Sequence, residues 1–267
     1  MRFWLGTHQT GWLAAVDVPL FLSAVRLRKR KRLPRARGEW ALDSGGFSAI
    51  RQDGCYRVGP RQYVEEVKRW RDEIGNLVWC AIQDWMCEPD MLARTGKTVA
   101  EHQELTVQSW LDLTALDAAL PWVPVLQGYT LEDYHRCADL YEKHAATDLA
   151  SLPLVGVGSV CRRQGTREAA AIIKSLHARG LHNLHGFGMK TLALTGKRSL
   201  AGYLKSSDSM AWSHRARNAW RHEKRRLCRG EHTGGCGNCQ PWALAWRERL
   251  VRAVERSEER GTQLLLF

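Results

Sequence analysis

Asp43-Ser44-Gly45-Gly46-Phe47 places a carboxylate at the end of a short apolar run, Trp40-Ala41-Leu42, ahead of two glycines and an aromatic ring. Glycine lets backbone approach a flat ligand without a Cβ in the way. A phenyl ring can stack on that ligand's face. An ordinary strand-to-loop turn, with Asp43 bonding its own backbone, is the alternative for this motif taken alone. Other apolar runs end the same way: in Gln83-Asp84, Gln127-Gly128, Gly156-Val157-Gly158-Ser159, His185-Gly186-Phe187-Gly188 and Ser206-Ser207-Asp208-Ser209-Met210. Brought together, three aspartates, a glutamine, glycines and aromatic faces make a pocket for a flat, hydrogen-bonding heterocycle. Asp and Gln can pair with the donor/acceptor edge of a purine, and a glycine N–H can bond its carbonyl. Each residue also has a plainer reading. Asp208 can cap a helix, Gln127 can satisfy buried backbone, and His185 can be a core histidine with its bonds satisfied. His8 and Gln9 can line a pocket or simply pack. Cys87 and Cys161 read as buried, inert thiols.

A second cluster suits a metal. Cys228, His232, Cys236 and Cys239 are spaced C-x₃-H-x₃-C-x₂-C, with Gly234, Gly235 and Gly237 between them. Thiolates and imidazole are the donors Zn²⁺ prefers, and four of them close a tetrahedron, which predicts a structural zinc rather than a catalytic one. Coincidental free cysteines and an iron–sulfur centre are the alternatives.

The elements that must position these residues follow from the apolar pattern. Strand-like runs occupy Phe3–Thr7, Trp40–Asp43, Leu77–Asp84, Trp122–Gln127, Leu152–Ser159, Asn183–Gly188 and Ser207–Trp212. They show little alternation, as in a parallel sheet covered on both faces. Helical patterns lie between them. Tyr63, Val67, Trp70 and Ile74 share one face, and 98–118, 131–145 and 166–179 also read as helices, followed by a last one from Trp242 to about Glu255. Seven visible strands alternating with helices predict an α/β fold, a (β/α)₈ TIM barrel with one strand unrecognised. An open doubly wound sheet is the alternative. The expected division is a barrel core over 1–214 and a basic zinc-binding segment with a C-terminal helix over 215–267, packed on the barrel.

Forty Lys+Arg against 28 Asp+Glu give a formal charge of +12 on 267 residues. Such a field attracts polyanions. Two basic stretches carry much of it: Arg26–Arg37, expected in a loop or frayed helix, and Arg215–Arg229. Charge runs are usually solvated faces, but two of them on this background point to a nucleic-acid backbone. A membrane partner is disfavoured by the absence of a long apolar run or a signal-peptide pattern. Scattered cysteines with a metal-like cluster fit a reducing cytoplasm.

In their order and spacing these motifs resemble the tRNA-guanine transglycosylase superfamily. Within it they most resemble the DpdA branch, the 7-deazaguanine DNA-modification enzymes of bacteria and phages. Gly6-Thr7-His8-Gln9, Gln83-Asp84-Trp85-Met86, Gly156 through Arg163 and Asp208-Ser209-Met210-Ala211-Trp212 carry the closer likeness, which spans nearly the whole chain. The resemblance implies a DNA–guanine transglycosylase that exchanges guanine for a 7-deazaguanine such as preQ0. Asp208 would be the nucleophile at the sugar C1′ and Asp43 the acid/base or orienting partner. Ser44, Gly46, Phe47, Asp84, Gln127, Gly158 (or Gly156) and His185 would hold the base. His185 falls where the family usually has an apolar residue. The implied partners are double-stranded DNA, with its target guanine flipped out, and a free 7-deazaguanine. The chain is shorter than the tRNA enzymes and its zinc ligands are more tightly spaced, so tRNA is the less favoured substrate. A non-catalytic, zinc-stabilised nucleic-acid-binding protein is the alternative of a different class, and a hydrolase of N-glycosidic bonds a weaker one.

Overall fold

The computed structural model describes residues 1–160, 167–189, 191–195, 199–230 and 232–264. The Cys161-Arg162-Arg163 part of the motif beginning at Gly156 lies outside them. Nine strand segments form one parallel sheet: β1 (Arg2–Thr7), β2 (Leu20–Ser23), β3 (Trp40–Asp43), β4 (Leu77–Ala81), β5 (Trp122–Val123), β6 (Val125–Leu126), β7 (Val155–Val157), β8 (Leu184–Gly186) and β9 (Ser206–Ser209). Their order is β5-β4-β3-β2-β1-β9-β8-β7-β6. β5 and β6 are consecutive and flank Pro124, which has no N–H to give a ladder. Cys80 N–H bonds the Pro121 carbonyl (2.9 Å) on one side, and Gly156 N–H bonds the Pro124 carbonyl (2.8 Å) on the other. The run through Pro124 is therefore one interrupted strand, and the ring of eight closes through it, as a (β/α)₈ barrel requires.

The strand absent from the sequence pattern is β2. It has four residues, and it runs directly into a short helix, Ala24–Leu27, at the edge of the first basic stretch. A run this short beside so many cations carries no periodic signal. Part of that stretch is tied down. Arg28 Nε donates to Glu66 Oε2 at 2.8 Å, and Arg35 donates to the Asp72 carbonyl at 2.8 Å. β9 is shorter than expected at its far end. Ser209 Oγ accepts the Ala211 N–H (3.1 Å), and the chain turns there into the helix Ala211–Glu223, which takes in Trp212.

Strand residues divide between two cores, as the period of two demands. Trp4, Phe21, Ala41, Trp79, Ala81 and Val123 pack together inside the barrel. Phe3, Leu5, Leu22, Trp40 and Leu42 belong to the larger layer under the helices. The helix Pro60–Ile74 begins with proline in its first turn, buries Tyr63, Val67, Trp70 and Ile74, and stops at Gly75, whose φ of +71° suits glycine. Helices Val99–Leu116 and Leu131–His144 each start in a capping box, Thr98/Glu101 and Thr130/Asp133.

The C-terminal region packs against the barrel beside β1. Trp212 Nε1 donates to the Gly6 carbonyl (2.9 Å), and Trp242 Nε1 donates to the Trp212 carbonyl (3.0 Å). The last helix, Gln240–Leu264, is longer than anticipated and sets Trp246 against Phe3, ring centroids 5.9 Å apart. No helix among the described residues is long and apolar enough to cross a membrane.

Candidate active site

The C-terminal strand ends surround a cavity of about 210 Å³. An apolar cavity of about 150 Å³ already accepts a benzene ring, so there is room for one flat heterocycle. Asp43, Gly46, Phe47, Asp84, Gln127, Gly158 and Asp208 all line it. Ser44 lies beneath the wall, its hydroxyl donating to Asp84 Oδ1 (3.1 Å) and accepting the Gly46 N–H (3.3 Å). Gly156 and His185 do not line it. A Cβ on Gly156 would sit 2.5 Å from the Phe187 ring, whereas one on Gly158 would sit 2.2 Å from Gln127 Nε2. Glycine at 158 therefore lets the Gln127 amide reach across the strand end. His185 is buried under Phe187 and against Trp79, ring centroids 4.7 Å apart in both cases. Its Nδ1 lies 2.7 Å from Ser206 Oγ and its Nε2 3.4 Å from Asp208 Oδ1, behind the carboxylate.

Phe21, Met86, Glu88, Ser159, Phe187 and Gly188 complete the lining. Phe21 was hidden because β2 was hidden. Phe187, Gly188 and Ser159 lie inside the strand-end motifs of the sequence, one to three positions from Gly158 and His185. Phe47, 38% exposed, and Phe187 bring two aromatic faces to the cavity. His8 and Gln9 are not part of the wall. His8 Nδ1 sits 3.1 Å from Arg26, and burial, Arg26 and Arg217 together push its pKa down to about 4.

Local backbone fixes each carboxylate. Gly45 adopts φ +82°, which turns the chain from β3 into the helix Gly46–Asp53. Asp43 stands at that corner. Burial raises its pKa to about 6, with a further push from Asp208, against hydrogen bonds from Ser23 and the Gly45 backbone. Burial and the Asp43 charge raise Asp84 to about 7, although Gln127 and Ser44 bond its carboxylate. Asp208 Oδ1 accepts the Gly188 N–H at 2.7 Å, and Gly188 reaches it from a left-handed turn at φ +63°. Two neighbouring carboxyls with pKa values raised toward 7, beside a third pinned by a backbone amide, are groups with the chemistry to exchange a proton or to attack a carbon at one cavity.

Asp208 also borders an outer cleft of about 540 Å³ lined by His214, Arg215 and Arg217. Farther along the same helix, Arg217 and Arg221, with Lys224 just past its end, line a third cavity that reaches His232 and Cys239. There the donor atoms of Cys228, His232, Cys236 and Cys239 all lie within 4.8 Å of one another. The three sulfurs and one imidazole form a soft donor set that could hold a metal such as zinc. Leu227 N–H bonds Cys236 Sγ at 3.2 Å, the kind of backbone contact that supports a thiolate ligand.

Fold and site define an α/β-barrel protein with a base-sized, carboxylate-lined pocket at the C-terminal rim and a soft-ligand cluster beyond it. The chain belongs to the DpdA family, DeoxyPurine in DNA protein A, whose model matches residues 1–266. Family membership implies deoxypurine modification in DNA. No curated protein matches the sequence.

Proposed function

We propose that the protein exchanges guanine in DNA for a 7-deazaguanine base of the preQ0 type. The observation that carries this reading is the meeting of Asp43, Asp84, Gln127 and Asp208 at one base-sized cavity on a DpdA-family barrel. An Asp208 oxygen attacks C1′ of a flipped deoxyguanosine, the C1′–N9 bond breaks, and guanine leaves as Asp43 supplies the proton. The incoming base then gives its N9 proton back to Asp43, and its N9 attacks C1′. The Asp208–C1′ bond breaks and configuration is retained overall. A pKa near 6 suits Asp43 to both directions of proton transfer. Asp84 and Gln127 read the oxo–amino edge, Gly158 admits the Gln127 amide, Ser44 and Gly46 hold Asp84 and the turn, and Phe47 and Phe187 stack on the base. His185 acts from behind Asp208.

Double-stranded DNA approaches across the outer cleft, where Arg215 and Arg217 meet its phosphates. Residues 215–267 serve as a basic, zinc-holding segment on a 1–214 core. The site of action is the cytoplasm of a bacterial or phage-infected cell. The decisive assay offers labelled deazapurine with duplex DNA and, in parallel, with tRNA. Label entering DNA and not tRNA is expected. Label entering tRNA alone moves the substrate to RNA, and salt-sensitive DNA binding without label leaves a binding protein.

The zinc is structural in this proposal. Metal analysis of chelator-free protein is expected to find one zinc per chain. Cys236→Ser is expected to lose it and to melt about 4 °C lower, the effect of one to two kcal/mol in a domain of this size. Retention of full zinc by that variant would remove Cys236 from the ligand set.

A further inference from the structure

The two basic stretches of the chain come together at His8. His8 follows the C-terminal end of β1, and Arg26 lies in the short helix Ala24–Leu27 after β2, the strand paired with β1. A terminal nitrogen of Arg26 sits 3.1 Å from His8 Nδ1. A guanidinium has donors and no acceptor, so Nδ1 accepts, and a ring that accepts there is neutral with its proton on Nε2. Arg217, from the second stretch, is close enough to add to the fall in the His8 pKa to about 4. It also lines the outer cleft that Asp208 borders.

The holder decides what Arg26 can do next. Arg28, two residues on, is paired with Glu66 at 2.8 Å, which offsets its charge. Arg26 has no carboxylate partner among the described residues, and its one side-chain bond there goes to His8. A neutral acceptor fixes a guanidinium and leaves its whole charge, with the other N–H groups able to meet an anion. The sheet order sets the place. β2 and β1 stand between β3, which ends in Asp43, and β9, which carries Asp208. Val25 Cγ2 lies 2.6 Å from where a Cβ on Gly45 would stand, which fits the Arg26 helix onto the Asp43 turn. Met210 Cγ lies 2.6 Å from the Cβ position of Gly6, which fits the end of β1 onto the Asp208 corner. The His8–Arg26 pair therefore stands on the rim between the two aspartates that handle the sugar in the proposed exchange.

We propose that Arg26, held by a neutral His8, binds the phosphate adjoining the flipped nucleotide and so fixes the register of the DNA strand at the pocket mouth. The inference rests on the proposed reading of the cavity as the seat of a guanine flipped out of DNA. Phosphate contacts set position and orientation rather than sequence, which suits a pair on the rim that does not line the cavity. Arg26 is the binding residue. His8 is a positioning residue that acts through it, and Arg217 adds a second cation nearby.

The test is single-turnover base exchange by the full-length protein in a duplex with one mapped target guanine. The half-saturating DNA concentration and the maximal rate are read separately. One duplex is all phosphate, and two others carry a neutral methylphosphonate at the 5′ or the 3′ linkage of that guanine. Arg26→Ala is expected to raise half-saturation at least about tenfold with little change in maximal rate, the effect of losing one charge-assisted contact. One of the two methylphosphonates is expected to cost the wild type a similar factor and to cost Arg26→Ala less than about twofold, because the partner is already gone. The slope of log affinity against log salt is expected to flatten by about 0.9 in that variant. His8→Asn keeps a neutral acceptor for Arg26 and is expected to stay within about threefold of wild type. His8→Asp also accepts from Arg26 but offsets its charge, and is expected to raise half-saturation about tenfold. Melting curves verify that the variants fold. Methylphosphonate penalties as large in Arg26→Ala as in the wild type overturn the phosphate contact. His8→Asp equal to wild type, or His8→Asn as poor as Arg26→Ala, overturns the role of the neutral holder. A wild type that binds DNA but exchanges no base in any duplex means that the exchange reading is wrong, and the inference falls with it.

Discussion

Asp208→Asn is expected to slow base exchange by at least about 10³-fold while DNA affinity stays near wild type. The substitution is nearly isosteric. An asparagine Oδ1 can still accept the Gly188 N–H that holds Asp208 Oδ1 at 2.7 Å, so the turn after β8 keeps its anchor. In the proposed exchange, what disappears is the anionic oxygen that forms the bond to C1′. A neutral amide is a poor nucleophile and a poor leaving group, so both halves of the double displacement suffer. Single-turnover release of guanine from labelled DNA is the measurement. A denaturing gel should show a protein–DNA adduct with wild type, when the incoming base is withheld, and none with the variant. Exchange within tenfold of wild type would show that another group attacks the sugar. Asp43→Asn gives the contrast. It should impair proton transfer yet still allow some adduct to accumulate, because the nucleophile is intact.

The barrel was legible because its strands are short, apolar and bounded by chemistry. Trp40–Asp43 and Leu77–Ala81 announce themselves by composition, and their polar ends mark the rim. β2 was not legible. Leu20–Ser23 is as apolar as its neighbours, but it lies between Pro19 and a run of cations that dominates any window containing it. Its loss hid Phe21 from the pocket. The other differences concern depth rather than position. A one-dimensional pattern put His185 and Phe187 at the same strand end, and only packing decides which ring faces the cavity. β8 sends His185 into the core against Trp79 and leaves Phe187 at the wall. Likewise Gly156 and Gly158 are equivalent by spacing. Contacts separate them, since one lies under Phe187 and the other under the Gln127 amide. The contacts of Ser159 Oγ with Glu88 Oε2 (2.8 Å) and Gln127 Oε1 (2.7 Å) could not be read from spacing, because the three residues come from three different strand ends.

Asp84→Asn is expected to make the protein more stable at pH 8 than the wild type, by about 2–3 kcal/mol, and to show little or no such gain at pH 4. Burial, aided by the neighbouring Asp43 charge, holds the Asp84 pKa at about 7, well above its ordinary value of 3.8. The folded state therefore binds this proton more tightly than the unfolded chain. Between roughly pH 4 and 7 the folded protein holds more protons than the unfolded one, so stability falls as pH rises through that window and levels off above it. The full shift would correspond to about 4 kcal/mol at 1.36 kcal/mol per pH unit. Asp84 keeps partial exposure at the cavity wall, and this and its coupling to Asp43 reduce the figure. Asparagine has no proton to lose, keeps a carbonyl for the Gln127 Nε2 donor, and so escapes the cost. Urea unfolding of both proteins at pH 4, 6 and 8 measures the difference directly, and a gap that does not widen with pH would remove Asp84 as a buried, perturbed carboxyl. The same variant is expected to bind guanine at least about tenfold more weakly, because on the proposed reading the carboxylate that meets the N–H donors of the base is gone. A residue that costs stability in the empty pocket and returns affinity when a base fills it is the trade-off a binding carboxylate should show.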